Sequence, residues 1–497
     1  MSWHKLMRRM NWRIILNLVG YVLFTMAALM LLPLGVSLLY RETCWMSFFV
    51  TIILCLVLSI PLMNIHAKQH SYFAKDGLIA VGLSWLLVSM IGALPFYFSQ
   101  EIPNYIDCFF ETVSGFTTTG SSILNDVEAL SYGLLFWRSF THWIGGMGVL
   151  VFILALLPKS NERTMHVMRA EVPGPTIGKL VPRLKKSAMI LYSLYMALSI
   201  IEVVFLLFGG MPLFDALVNT FGTAGTGGFA IKNLSIGFYD NAYFEAVITV
   251  FMLLFGINFN LYYFLLIKDF KQVYKDEEMR VYLGIVFISI LCIMINIYPM
   301  YTSIGESLRY GSFQVASIIT TTGYSSADFN LCPTFSKAIL LSLMVIGASA
   351  GSTGGGVKVS RILIVFKKIK LDIQRLLHPQ QVSAITLNHR LVEEETVNQI
   401  MSFFCCYIMI FCVCVLIVAM DNFDVETTIT SVLACLSNIG PGLGLCGPMG
   451  NFSMFSDISK LVLSAAMLIG RLEIYPIIIF LTPLLQKPKF RKKQVAD

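Results

Sequence analysis

Four short segments of hydroxyl-bearing or amide residues and glycine recur along the chain, each ahead of a long apolar run. They are Thr117-Thr118-Thr119-Gly120, Gly225-Thr226-Gly227-Gly228, Thr320-Thr321-Thr322-Gly323 and Ser437-Asn438-Ile439-Gly440. Their glycines at 120, 227, 323 and 440 stand 107, 96 and 117 residues apart, a spacing that points to one structural unit used four times. Hydroxyl and carbonyl oxygens beside a flexible glycine can replace the water shell of an alkali cation. Four such segments suffice to surround one ion, so the chemistry they suggest is cation conduction. A single copy would read as ordinary helix packing or a turn; four copies in the same sequence context argue against that.

Two further features sit in apolar surroundings. The run Gly347-Ala348-Ser349-Ala350-Gly351-Ser352-Thr353-Gly354-Gly355-Gly356 holds five glycines in ten residues. Each costs a helix about 1 kcal/mol relative to alanine, so the run predicts a break. Lys358 follows Val357 rather than glycine and the segment lies within an apolar span, which excludes a phosphate-binding loop. The open readings are close packing on a neighbouring helix or a lining for a cavity. Arg471 falls in the last apolar run, where a lipid-facing charge costs at least about 2.5–3.5 kcal/mol. It should face the interior, either paired with Glu473 or Glu202 or acting as an electrostatic barrier. His142 and Arg138 read as structural. No paired acids, His/Glu ligand set or Cys/His zinc spacing is evident, so an enzyme is not expected.

Such residues need a membrane scaffold. The chain has 497 residues, 56% hydrophobic and 13% charged, against about 25% charged in soluble domains. Apolar runs near the 20 residues that cross a bilayer cover 12–40, 45–65, 77–98, 133–157, 187–208, 242–267, 281–298, 335–366, 397–419 and 457–485, about ten spans. The basic start (Lys5, Arg8, Arg9, Arg13) precedes a run too long for a cleavable signal and reads as a first membrane helix. Basic residues mark alternate connections. One holds Lys159, Arg163, Arg169, Lys179, Arg183, Lys185 and Lys186, another Lys268, Lys271, Lys275 and Arg280, and a third Arg361, Lys367, Lys368, Lys370, Arg375 and Arg390. With the basic tail, these place both termini in the cytoplasm. The opposite segments, 99–132, 209–242, 299–334 and 420–457, carry thirteen acids and two bases. That is either topology bias or a weak negative field that concentrates cations. Eleven cysteines, mostly in spans, form no disulfide framework.

Between each first span and its signature lies a short amphipathic segment of about ten residues, such as Tyr105 to Ser114, reaching about 15 Å, half a membrane. Such a helix must enter and return on one side. Asp107, Asp215 and Asp424 near the starts of these half-helices suit their positive ends, leaving the negative ends aimed at the signatures.

The motifs taken together resemble the Trk/Ktr/HKT superfamily of potassium transporters. They are Ser-Gly-Phe-Thr-Thr-Thr-Gly (114–120), Thr-Gly-Gly-Phe (226–229), Thr-Thr-Thr-Gly-Tyr (320–324), Asn-Ile-Gly-Pro-Gly-Leu-Gly (438–444), Thr-His-Trp-Ile-Gly-Gly-Met-Gly (141–148), Ala-Gly-Ser-Thr-Gly-Gly-Gly-Val-Lys (350–358) and Gly-Arg-Leu-Glu (470–473). Two extra N-terminal spans make the chain most similar to the TrkH branch. The resemblance implies an all-α polytopic membrane protein with four helix–pore loop–helix (M1-P-M2) repeats in pseudo-four-fold arrangement. The expected units are an N-terminal helix pair (1–75), repeats at 76–160, 186–268, 280–368 and 395–486, and a basic tail (487–497).

It further implies a potassium filter of Thr118, Thr119 and Gly120; Gly225, Thr226 and Gly227; Thr321, Thr322 and Gly323; and Asn438, Ile439 and Gly440. Sodium-selective plant relatives carry serine at the position of Gly120, so this chain is expected to favour potassium. Gating would fall to Gly347, Gly351, Ser352, Thr353, Gly354, Gly355, Gly356, Lys358 and Arg471. Potassium is then substrate, with no covalent cofactor. Implied partners are a second copy in a homodimer, membrane lipid and a cytosolic RCK-type nucleotide-binding regulatory subunit (TrkA-like), but no nucleic acid. The implied setting is the bacterial inner membrane. A sodium-permeable or Na+/H+-coupled symporter of the same superfamily is the alternative.

Overall fold

The computed structural model describes residues 11–65, 74–148, 184–301, 303–378, 384–388 and 390–474. These residues are mostly helical; among them the one sheet is an antiparallel pair, β1 (Thr386–Leu387) and β2 (Arg390–Leu391). Among the described residues six helices are long and apolar enough to cross a membrane, or seven if one bent pair counts as a span. Their outward faces carry large apolar side chains, such as Leu39, Phe208, Phe287 and Leu416, which only a lipid surround satisfies.

The N-terminal helices are α1 (Trp12–Leu29), α2 (Leu31–Leu39) and α3 (Trp45–Met63). Next come α4 (Ala74–Gly92), α5 (Leu94–Phe98), α6 (Tyr105–Phe116) and α7 (Tyr132–Gly146), then α8 (Leu184–Phe208), α9 (Leu213–Gly225), α10 (Ala242–Phe255), α11 (Phe259–Leu266) and α12 (Phe270–Lys275). The chain continues through α13 (Glu277–Tyr301), α14 (Ile304–Ile319), α15 (Thr334–Ile346), α16 (Val359–Leu377), α17 (Glu394–Val418), α18 (Val425–Ser437) and α19 (Asp457–Arg471).

The four short helices α6, α9, α14 and α18 have 12, 13, 16 and 13 residues, about 18–24 Å, too short to cross. Their starts carry acids: Asp107, Asp215, Glu306 and Glu426 lie in first turns, and Asp424 caps α18 by accepting from Thr427 N at 2.9 Å. Each packs against the long helix before it. Each also packs against the last helix of another group, α7 on α9, α10 on α14, α15 on α18 and α19 on α6, so the succession returns to its beginning.

Two apolar runs are broken, one where an unbroken span was expected and one at the glycines that predict a break. The run 242–267 bends by 91° between α10 and α11, where Gly256 precedes Asn258, whose side chain caps α11. The run 335–366 ends as helix at Ile346 and resumes at Val359. The breaks satisfy each other: Ser349 N donates to Gly256 O at 3.1 Å, Thr353 Oγ1 to Phe255 O at 3.2 Å, and Phe259 N to Gly351 O at 3.0 Å. Non-helical backbone at membrane depth is tolerable only with such partners.

The N-terminal helices, expected from sequence as an extra pair, are sewn into the body. They pack on α4 and α7, and the Glu42 carboxylate accepts from Tyr132 N (2.6 Å) and Gly133 N (2.9 Å) at the start of α7. Cys332 and Cys446 are both free. Most of the first basic connection, the ends of the expected spans 133–157 and 457–485, and the tail 487–497 lie outside the described residues.

Candidate functional site

Each short helix ends in the same way. The N–H groups of Thr119, Gly227, Thr322 and Ile439 donate five residues back, to Ser114 O, Gly222 O, Ser317 O and Ala434 O, at 2.8–2.9 Å. The residue before each, Thr118, Thr226, Thr321 or Asn438, is left-handed, with φ of 54°, 55°, 58° and 56°. This is a Schellman ending, in which the left-handed residue is ordinarily glycine. A β-branched threonine there is strained and persists only where its surroundings over-determine it. Two residues after each left-handed position comes a glycine with positive φ: Gly120, Gly228, Gly323 and Gly440.

This fixes a register that the sequence leaves ambiguous. The second loop is Thr226-Gly227-Gly228, one residue beyond the expected Gly225-Thr226-Gly227. Gly225 is instead the last residue of α9, where a side chain would strike the backbone of His142.

The four loops close into a ring. A Cβ on Gly120 would meet the Gly227 carbonyl oxygen, on Gly228 that of Thr322, on Gly323 that of Ile439, and on Gly440 that of Thr119 at 2.8 Å. Thr118, Thr119, Gly120, Thr226, Gly227, Thr321, Thr322, Gly323, Asn438, Ile439 and Gly440 are thus brought together. The carbonyl oxygens of Thr119, Gly227, Thr322 and Ile439 each lean on the neighbouring loop's glycine.

Not every hydroxyl is available to a ligand. Thr119 Oγ1 is bonded to Thr117 Oγ1 (2.8 Å) and Thr322 Oγ1 to Thr320 Oγ1 (2.7 Å), behind the loops. Asn438 Nδ2 donates to Thr119 Oγ1 and to Met467 O, both at 2.9 Å, and so bolts the fourth loop to the first. The outer cuff is also polar. The Tyr324 hydroxyl donates to Asn219 O at 3.0 Å, and Ser121 Oγ to Gly440 O at 3.0 Å. His142 ties the end of α6 to the second loop: Phe229 N donates to Nε2 (3.2 Å), so Nδ1 carries the proton and donates to Gly115 O (2.7 Å). Arg138 pairs with buried Glu111 at 2.5 Å, donates to Ala230 O at 2.8 Å and lies over the Phe229 ring. The structural reading of His142 and Arg138 fits these contacts.

Directly beneath the ring lies the Gly-rich segment. Gly355 N donates to Thr321 Oγ1 at 2.6 Å and Gly356 N to Ser437 O at 2.9 Å. Gly347 has φ 72° and packs on Gly356, closing the base of the segment, while Gly351 and Thr353 meet α10 and α11 as described. Ser352 Oγ bonds back to Ser349 O at 2.6 Å. Lys358, buried and at φ 84°, folds its ammonium onto Gly354 O. Arg471 donates to Thr353 O (2.8 Å) and to Gly145 O (2.6 Å) and Gly146 O (2.9 Å) of α7. Glu473, a candidate partner for Arg471, pairs with Arg361. A cavity of about 70 Å³ is lined by the segment, Lys358 and Arg471, and by no residue of the four loops.

Sequence reasoning did not single out Glu278, whose buried carboxylate accepts from Ala350 N at 2.6 Å. Its one signal, an acid at the start of an apolar run, is shared by many helix first turns.

The comparisons agree with this architecture. Residues 45–493 match the family model described as "TrkH: Cation transport protein". The chain is 35% identical over 481 residues to the Trk system potassium uptake protein TrkH of Salmonella typhimurium and to that of Escherichia coli, covering 95% of this chain and 99% of each relative. It is 32% identical to the Trk system potassium uptake protein TrkG of Escherichia coli over 476 residues, 94% of this chain and 97% of that protein. The crystal structure of the potassium transporter TrkH from Vibrio parahaemolyticus superposes with a TM-score of 0.85 at 32% identity, over 96% of this chain and all of that one.

Proposed function

The chain belongs to the TrkH family of cation transport proteins, and on that premise we propose that it carries potassium uptake across the bacterial inner membrane. The four successions of long helix, short helix, loop and second helix act as M1-P-M2 repeats around a pseudo-four-fold axis, with the extra helices α1–α3 flanking the first. One observation carries this reading: four loops of identical backbone course touch in cyclic order, each glycine against the next loop's carbonyl. Backbone oxygens on such a ring can exchange with the hydration shell of a monovalent cation. Helix C-termini aimed at the ring add partial negative charge.

The filter comprises Thr118-Thr119-Gly120, Thr226-Gly227-Gly228, Thr321-Thr322-Gly323 and Asn438-Ile439-Gly440. The Gly-rich loop is its gate, held shut by Arg471 and by its contacts with Thr321 and Ser437. Both termini face the cytoplasm. The active assembly is a homodimer regulated by a cytosolic RCK-type nucleotide-binding subunit. No step calls for catalysis by this chain or for a covalent cofactor.

Ion flux into proteoliposomes under defined potassium and sodium gradients is the test, with intact protein and with Gly351–Gly356 deleted. Potassium-selective flux that rises on deletion is the expected result. A reversal potential set by sodium would favour the sodium-permeable alternative, and one shifted by a proton gradient a coupled symporter. Unchanged flux on deletion would remove the gate.

A further inference from the structure

Glu278 stands in the first turn of α13, buried to 5% exposure. Its Oε1 accepts from Ala350 N at 2.6 Å and from Ser360 N at 3.1 Å. Ala350 precedes the tip of the Gly-rich loop and Ser360 follows it, so one carboxylate oxygen gathers both sides of the loop's base. Backbone bonds narrow the same base: Lys358 N donates to Ile346 O (2.9 Å) and Val359 N to Ala348 O (3.1 Å). A carboxylate suits the position because two N–H donors converge on one oxygen beside the positive start of α16.

The start of α13 is gripped from its other side by the β1–β2 hairpin. Asn388, at the turn, accepts from Glu277 N at 2.7 Å and donates to Asp276 Oδ2 at 2.7 Å. Lys367 of α16 reaches both Glu277 and Thr386 O. The hairpin therefore touches the residue next to Glu278, and α16 is bound to both.

We infer that Glu278 is a positioning residue for the gate: it pins the base of the Gly-rich loop, and the hairpin sets how firmly by capping the same helix start. The inference rests on the reading of that loop as a gate. Movement of the hairpin or of α16 on the inner face would reach the loop through this carboxylate, 72 residues away in sequence from Ala350.

The test uses the full-length protein in proteoliposomes with a potassium gradient, comparing Glu278→Ala, Glu278→Gln, Asn388→Ala and deletion of residues 351–356. Glu278→Ala is expected to raise basal potassium flux about tenfold, equivalent to about 1.4 kcal/mol. Glu278→Gln keeps an accepting oxygen and should raise flux about twofold to threefold, the loss of charge weakening both bonds. Asn388→Ala should act in the same direction and add nothing to Glu278→Ala. The potassium-to-sodium ratio stays at the wild-type value in all three, which a general loosening of the fold would not allow. Amide hydrogen exchange should quicken at Ala350 and Ser360 while the ring loops keep their protection.

Wild-type flux and exchange in Glu278→Ala, with raised flux in the deletion, would overturn the inference and leave the gate standing. No effect of the deletion would overturn the gate itself. Should the alanine variant fail to fold, unchanged flux and exchange in both Glu278→Gln and Asn388→Ala would sink the inference.

Discussion

Gly120 faces the Gly227 carbonyl across a gap that admits no Cβ, and its φ of 84° disfavours any L side chain. Gly120→Ser should therefore displace a ring carbonyl and lower potassium-over-sodium discrimination by about tenfold, or about 1.4 kcal/mol, read as a shift in reversal potential under mixed gradients. Behind the ring, Glu111 and Arg138 form a buried pair that also holds Ser122 Oγ at 3.0 Å and Ile123 N at 2.9 Å. Removing one partner leaves the other buried and uncompensated, so Glu111→Gln or Arg138→Met should cost about 3–5 kcal/mol in thermal unfolding. The double substitution should cost less than the sum of the two. Threonines and glycines named the ring in the sequence, but the use of their atoms was not legible there. Thr119 and Thr322 look like hydroxyl donors to an ion, yet both hydroxyls are bonded backwards to Thr117 and Thr320. Adjacent Gly227 and Gly228 permit two registers, and only the bond from Gly227 N to Gly222 O chooses between them.

The short helices and the broken ones are the elements that carry the proposed function. Half-membrane length and first-turn acids were legible because both are local properties of sequence. Asp424 illustrates this. Its carboxyl is held below the ordinary carboxylate range by hydrogen bonds from Thr427, side chain and backbone. A depressed folded value means its contribution is present above a pH of about 4 and lost as pH falls further. Asp424→Ala should cost about 1 kcal/mol at neutral pH and nothing once the carboxylate is protonated, measured by thermal unfolding across pH. The bend at 256–258 was missed because hydropathy registers an unbroken apolar run; Gly256 and Asn258 were the available signals. The Gly-rich break was legible from five glycines in ten residues. Its partner was not, since mutual satisfaction of two breaks 98 residues apart is a tertiary fact. Arg471→Ala would free Thr353 O and the end of α7 together, and should raise potassium flux several-fold in the proteoliposome assay.

At the scale of the whole molecule, each last helix lies on the short helix of another group and the last group returns to the first. Charge pattern proposes a sidedness from local sequence, while closure of the circle depends on contacts that no local window contains. The proposed topology places Leu331, 73% exposed among the connections on the ring side, and Tyr274, 80% exposed beyond α11, on opposite faces. Cysteines introduced at these positions should react with an impermeant maleimide from the periplasmic side at Leu331 alone, with the unaltered protein as blank. Equal labelling from that side would refute the orientation. Phe255 O and Gly256 O are bonded only to the Gly-rich loop's own donors in the contacts described, and those donors leave if the loop swings aside. A dry conduit would strand both sets of groups in hydrocarbon-like surroundings. Whatever pulls the loop away must therefore flood the cleft in the same motion, so wetting is part of the opening itself.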